Sequence, residues 1–590
     1  HSLKRMKAVL RSLPDKGLGY GILRHLDQDG ADLGDAGHGD IAFNYLGRIS
    51  EGGGDSSGWQ LARGVGSGGV DQEQRRHHLL EVNALLDGDN ALTVSWSWCR
   101  QAHVADSIAG LADAFENALE GLISHSLEAP LAQVHIPADF ALANLDDESL
   151  GEIEISSPGL EDILPLTPLQ HGLAFESQAL ARGQDDPYIV QLTLGLRGAL
   201  DEARLEQAWD TLLSRHAALR LVLCAPALER GLGVVRPLCE SWRVVDDRDV
   251  AGVVAEERAL GFAPGSGLIR LTLVRCGGGD HAVVLTMHHL VMDGWSIPVL
   301  LGELGRLYEG EALPPAFDWR RYLAWRGGQD LEAARVWWRD HLSGLEGPDQ
   351  LALAGPLDPS RGQGEAFLSL PGDLCRDLGT LGRGLGVTSA MVLQGAWMLV
   401  LARLGNTDHV TIGVTRSGRQ SGLSGIEKAV GLFIETLPVH RAVPPSMPLS
   451  AWLRDLQAVQ AEQDAHGHLG LSDIGRLADV PVGGDLFEAL FVYENYPVEV
   501  DQERFGDLEI TSLEGRDGTH YPLSLAVLPA DDALSLRLGY RRDRLDDAGA
   551  TQVLHHLERL LSSMASSPNA AVGSLDLLDA DERALVVEGF

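Results

Sequence analysis

Met287-His288-His289-Leu290-Val291-Met292-Asp293-Gly294-Trp295-Ser296 is the stretch that decides how this chain is read. Ahead of it, residues 282–287 form a short apolar run that predicts a strand. Behind it, residues 295–308 carry apolar positions at helical spacing. The two histidines therefore end a strand, and Asp293-Gly294 sits where a helix begins. Successive side chains of a strand point to opposite faces, so only one histidine can enter a given cleft. A histidine near its ordinary pKa can take a proton from an amine or position that amine for attack. The backbone N–H of Gly294, at a helix start, could stabilise a developing oxyanion. Asp293 could hold an arginine and fix the loop. This set suits acyl transfer to a nucleophile that the substrate supplies. A structural histidine pair reads equally well, and a metal site from His288, His289 and Asp293 is conceivable. Adjacent histidines make poor partners around one ion, and no His-x-x-x-His or cysteine cluster completes such a site. No Gly-x-Ser-x-Gly elbow or phosphate loop competes. The pattern alone leaves catalysis and structure both open.

Working outward, residues 160–342 and 365–570 read as two α/β halves of roughly equal size, separated by a Gly- and Pro-rich seam at 343–364. Residues 571–590 read as the start of a connector. Residues 127–159, with Pro130, Pro137 and Pro158 as breakers, read as a linker, and 1–126 form a block of their own. That block contains a partial repeat of the later half. Ala91-Leu92-Thr93-Val94-Ser95-Trp96-Ser97-Trp98 matches Ala533-Leu534-Ser535-Leu536-Arg537-Leu538-Gly539-Tyr540. Both are alternating strands that end on an aromatic residue and lead through Asp106 or Asp546 into a helix. Upstream of each lies another aromatic strand, Ala42-Phe43-Asn44-Tyr45 or Leu490-Phe491-Val492-Tyr493.

The chain has 590 residues, a formal net charge of -37, 44% hydrophobic and 22% charged residues. Such a composition supports large buried cores without staples. Its acidity disfavours nucleic acid and anionic membrane surfaces as partners. Five scattered cysteines form no metal or redox pattern and fit reduced thiols. The apolar stretch 389–404 contains Gln394 and is short for a membrane span. The first residues lack a signal-peptide shape, and the expected location is cytoplasmic.

The histidine motif resembles the His-His-x-x-x-Asp-Gly signature of nonribosomal peptide synthetase condensation domains, and further motifs follow in the family's order. Leu166-Thr167-Pro168-Leu169-Gln170 resembles the opening motif and Arg215-His216-Ala217-Ala218-Leu219-Arg220 the next. Trp338-Arg339-Asp340, Ser417-Gly418-Arg419, Val430-Gly431-Leu432-Phe433-Ile434, Phe491-Val492-Tyr493-Glu494-Asn495-Tyr496-Pro497 and Tyr521-Pro522-Leu523 complete the set, spanning about 160–568. The resemblance implies an α/β fold of two chloramphenicol-acetyltransferase-like lobes in a V-shaped pseudo-dimer, with a tunnel between them. It implies an acyltransferase that joins a donor acyl thioester to an acceptor aminoacyl thioester. Both would ride on phosphopantetheine arms of donor and acceptor peptidyl carrier proteins, beside a neighbouring adenylation domain. No cofactor is expected to be bound covalently. By resemblance His289 faces the tunnel and is catalytic with Gly294, while His288, Asp293, Arg220 and Arg215 are structural, Asp293 being paired to Arg220. Glu435 stands where the family often has Asn, and is read as facing solvent.

Residues 2–126 resemble the end of an epimerization domain, on Leu18-Gly19-Tyr20-Gly21-Ile22-Leu23-Arg24 and Phe43-Asn44-Tyr45-Leu46-Gly47. Asn44 and Tyr45 match residues lining the epimerase site. The rest of that site would lie upstream of residue 1, so this partial lobe is expected to be inactive alone. An epimerase upstream implies a D-configured donor and an L-configured acceptor. No carrier-protein serine is evident, since Gly53-Gly54-Asp55-Ser56 lacks a helical setting after it. The alternative to catalysis is a non-catalytic carrier-docking platform of a synthetase.

Overall fold

The computed structural model describes residues 2–26, 39–48, 76–86, 91–128, 135–180, 186–237, 240–246, 249–345, 347–348, 362–478, 480–481, 485–495, 504–530 and 533–588. Cys239, Tyr496 and Pro497, the Gly53–Ser56 stretch and most of the expected seam lie outside these residues. The chain divides into two compact units, His1–Asp139 and Phe140–Phe590.

In the first unit, the alternating pattern produces a sheet in the order Ile41–Arg48, Leu80–Leu86, Leu92–Trp98, followed by the helix Ala105–Glu128. Ile41–Arg48 pairs parallel with Leu80–Leu86, which pairs antiparallel with Leu92–Trp98. The same wiring recurs in the second unit. There Ala489–Tyr493 runs parallel to Leu523–Ala530, which is antiparallel to Ala533–Arg541, and the helix Asp547–Ser566 follows. The sequence repeat is thus a structural one. Its middle strand, Leu80–Leu86, escaped the sequence reading.

The second unit carries two six-stranded sheets. The first has the order Arg504–Phe505, Leu508–Arg516, Ile189–Arg197, Asp280–His288, Ile269–Gly277, Trp242–Asp246. Its core gathers Trp209, Leu273, Leu300 and Tyr308. The second sheet has the order Gln363–Leu370, Ala533–Arg541, Leu523–Ala530, Ala489–Tyr493, His409–Arg416, Glu435–Ala442. Its core is filled by the helix Ser389–Leu404, buried continuously from Met391 to Ala402, and by Trp452, Phe491 and Leu557. That burial explains the most apolar stretch of the sequence. Among the described residues no single helix is long and apolar enough to cross a membrane.

The two halves exchange segments. Leu508–Arg516 belongs by position to the later half, yet it pairs antiparallel with Ile189–Arg197 in the first sheet. The close approach falls at Gly195, where a Cβ would stand 2.5 Å from Ser512 Oγ. The loop between His409–Arg416 and Glu435–Ala442 also crosses over, placing Ile426, Val430, Leu432 and Phe433 in the first core.

Two segments read as connectors contain folded elements among their described residues. Within 127–159, Asp146 caps the helix Asp147–Ser156 by accepting from Ser149 N–H at 2.8 Å. Leu150 and Ile153 bury beside Ile163 and Val234. Within 571–590, Val572 and Leu575 join the second core, and the helix Ala580–Glu588 is held by His556 Nε2 against Glu582 at 2.9 Å. Alternation and proline count miss these segments because they are short, and their apolar residues serve neighbours far away in sequence.

Candidate active site

The strand Asp280–His288 carries the motif to the rim of its sheet, and the peptide after it turns toward the helix Ser296–Tyr308. His288 pairs in register with Ile189 and is buried. Its Nδ1 accepts the Leu290 N–H at 3.1 Å, which leaves the ring proton on Nε2, next to Ser177 Oγ at 2.9 Å and Asp186 at 3.4 Å. Both nitrogens are engaged in holding the loop. His289 is oriented differently. Its N–H donates to Tyr188 O at 2.8 Å, and its ring lines a cavity of about 380 Å³ with Gly294. His289 Nδ1 is buried without a hydrogen-bond partner. Burial pushes the His289 pKa below that of ordinary histidine, against partial support from Asp293 and Asp517. The imidazole is therefore neutral near pH 7, the form that can accept a proton.

Asp293 is fully buried and locks the loop. Its carboxylate accepts from Arg419 Nη1 at 2.8 Å and Nη2 at 3.1 Å, from Ser296 N–H at 3.0 Å and Oγ at 2.8 Å, and from Phe433 N–H at 2.9 Å. Arg419 also donates to Ala429 O at 3.1 Å and lies 4.3 Å from the centre of the Phe433 ring. This clamp joins the two halves, because Arg419 and Phe433 come from the crossing loop. Gly418 makes the approach possible. It has φ +63°, and a Cβ there would stand 1.7 Å from Phe433 O.

Arg220 does not reach Asp293, so the expected pairing is corrected to Arg419. Arg220 follows the helix Glu202–Arg215, where its Nε donates to Leu213 O at 3.0 Å and its Nη1 meets Glu161 and Arg236 O. Arg215 is likewise one layer away. It forms a two-pronged pair with Glu303 at 2.9 and 3.2 Å, and His216 Nε2 meets the same carboxylate at 2.7 Å. Burial works against the charge of Glu303, but His216 and Arg215 outweigh it and hold the carboxyl below the usual range. That pair tethers the helix that starts behind Gly294. Glu435, expected in solvent, instead pairs with Arg326, whose Nη2 donates to His468 O at 2.7 Å. The reason is local: Glu435 is half-buried at the start of its strand, where a lone carboxylate would be costly to leave unpaired. Asn44 and Tyr45 are exposed on the strand Ile41–Arg48 of the first unit.

The rest of the cavity wall carries no signal of its own in the sequence. Glu494, Asp517 and Arg537 line it with His289. Burial, then the neighbouring Asp517, pushes Glu494 up to about 7 against the pull of Arg537. A second cavity, of about 690 Å³, shares Tyr188, Thr436, His520 and Tyr521 with the first. The Tyr188 hydroxyl meets His520 Nδ1 between them. Glu494 and Tyr521 lie inside family-like motifs, but a motif does not say which side chains share a wall. Among the described residues no cluster of three or more His, Cys, Asp or Glu side chains is placed to hold a metal ion.

Residues 160–587 match the model of the condensation domain family, so the chain belongs to that family, whose members form amide bonds by acyl transfer. It is 32% identical over 99% of its length to a linear gramicidin synthase of Brevibacillus parabrevis, and spans 8% of that relative's length. Two solved structures carry the same fold. The condensation domain of the Monacolin K polyketide synthase MokA is similar with a TM-score of 0.58 at 20% identity, over 70% of this chain and 100% of that one. The first condensation domain of the calcium-dependent antibiotic synthetase, in complex with a substrate analogue, gives a TM-score of 0.56 at 20% identity, over 70% of this chain and 99% of that one. Two chloramphenicol-acetyltransferase-like lobes therefore account for the second unit.

Proposed function

We propose that the second unit joins a donor acyl thioester to an acceptor aminoacyl thioester, each delivered on the phosphopantetheine arm of a carrier protein. One observation carries this reading: a neutral His289 lines a cavity with Gly294, while every polar atom of His288 and Asp293 is turned to holding the loop. The acceptor nitrogen attacks the donor carbonyl, the carbon–sulfur bond breaks, and the amine proton ends on the departing thiolate. His289 orients the amine and relays that proton, and the Gly294 N–H stabilises the oxyanion. Holding two tethered substrates in line supplies much of the acceleration. Carrier and adenylation domains are the partners this reaction needs.

The donor is D-configured in this reading. Support comes from the first unit, whose wiring repeats the last portion of the second and whose motifs resemble the end of an epimerization domain. Asn44 and Tyr45 stand on an exposed face, and this unit alone epimerises nothing. The test uses separately loaded donor and acceptor carriers, the donor in D or L form. Amide is expected from the D donor and a loss of about 100-fold or more in His289→Ala, as for a removed proton-transfer group. Equal product from D and L donors would sink the stereochemical part, and an unimpaired variant would sink the role of His289.

A further inference from the structure

We propose that Glu494, held by Arg537 beside Asp517, is the group that receives the ammonium of the amine substrate in the His289 cavity. The inference rests on reading that cavity as the condensation site, and it names the subsite for one of the two substrates.

Arg537 stands at the centre of the polar wall. It is bonded to Asp517, with Nη2 to Oδ2 at 3.1 Å, and to Glu494 Oε1 at 3.3 Å, and Glu365 lies 3.5 Å from Nη1. All four side chains line the cavity that His289 lines. Three carboxylates thus share one guanidinium, and the other arginine of the lining, Arg416, is paired with Asp464 outside the cavity, which leaves the cluster around Arg537 short of positive charge. The elevated pKa of Glu494, caused first by burial and then by Asp517, is what an unbalanced acid is expected to show. An α-amine has an ordinary pKa of about 8 and arrives largely as ammonium near neutrality, which is the missing cation.

The fold does not require this cluster. Pairing registers align Tyr45 with Tyr493 and Ser95 with Arg537 across the two copies of the strand trio. One residue past the tyrosine pair in sequence, where the first copy has an irregularity in its pairing and the second copy's strand has ended, the first unit has Leu46 and the second Glu494. The apolar positions between them are kept as a class, Leu80, Val82 and Ala84 against Leu523, Leu525 and Val527, while both charged partners are exchanged together. The Glu494–Arg537 pair is therefore an addition to the scaffold, placed on the cavity side.

The test titrates the full chain with alanyl-pantetheine amide, which cannot transfer its acyl group, and with its counterpart lacking the α-amine. Wild type is expected to favour the amine-bearing compound by about tenfold, the scale of one charge-assisted hydrogen bond. Glu494→Gln should erase that preference and Glu494→Asp should retain part of it. Glu494→Leu, the residue of the first copy, provides a second route, and because the preference is a ratio, a reduced folded fraction does not alter it. No preference in wild type, or the same preference in Glu494→Gln, would overturn the proposal. Since the readout is binding, it stands apart from whether the chain forms amide at all.

Discussion

The strand trio of the first unit and its counterpart in the second share one wiring and differ in what surrounds them. In both, the inner face of the middle strand is covered, by Ile108 and its helix in one and by Leu557 and its helix in the other. The first strand is where they part. Phe491 is 1% exposed, because Ala489–Tyr493 is an inner strand whose face lies under the helix Ser389–Leu404, whereas Phe43 is 60% exposed on an outermost strand of the described three-stranded sheet. Local alternation specifies the hydrogen-bond pattern in each copy, and neighbours decide whether the pattern becomes a core.

Among the described residues the second unit has a further bond with no counterpart in the first, the clamp across its halves, and breaking it is expected to have the largest effect. Asp293→Ala leaves Arg419 buried without its partner and should destabilise the second unit by about 3–5 kcal/mol, with loss of amide formation. Denaturant midpoints and product assays check both. The direct challenge to the comparison is the phenylalanine pair. Phe491→Ala should lower stability by about 3–5 kcal/mol as a core truncation, and Phe43→Ala should fall within about 0.5 kcal/mol, as for an exposed position. Similar losses at both sites would show that the first strand of the first unit is covered in solution. The smallest effect is expected for Leu46→Glu, which gives the first copy the acid of the second. Stability should again stay within about 0.5 kcal/mol, while self-association, read by light scattering, should fall as exposed apolar surface is removed.

Much of this arrangement was legible because it is local. The apolar run before His288, the helical spacing after Trp295 and the alternation of strand faces put one histidine in the cleft. The two aromatic strands revealed the repeat. What escaped depends on pairing across long sequence distance. Arg220 and Arg419 both sit in family-like motifs, and only the crossing loop, with Gly418 at positive φ, decides which one meets Asp293. The middle strand Leu80–Leu86 follows a stretch rich in glycine and histidine, which hid it. Glu435 was misjudged because a carboxylate beside a strand start reads as exposed until Arg326 is placed next to it. Glu494 carries no signal in isolation: its meaning comes from Arg537 on a separate strand and Asp517 on a separate loop.

The strand Leu508–Arg516 has a consequence for how this molecule is made. Its partner Ile189–Arg197 leaves the ribosome roughly three hundred residues earlier. At about 5–20 residues per second, the first sheet waits tens of seconds with one row of amides and carbonyls unclaimed. During that interval it presents an open template to any passing strand. The two halves are therefore not separate folding projects, and slow synthesis between them lengthens the window for misassembly.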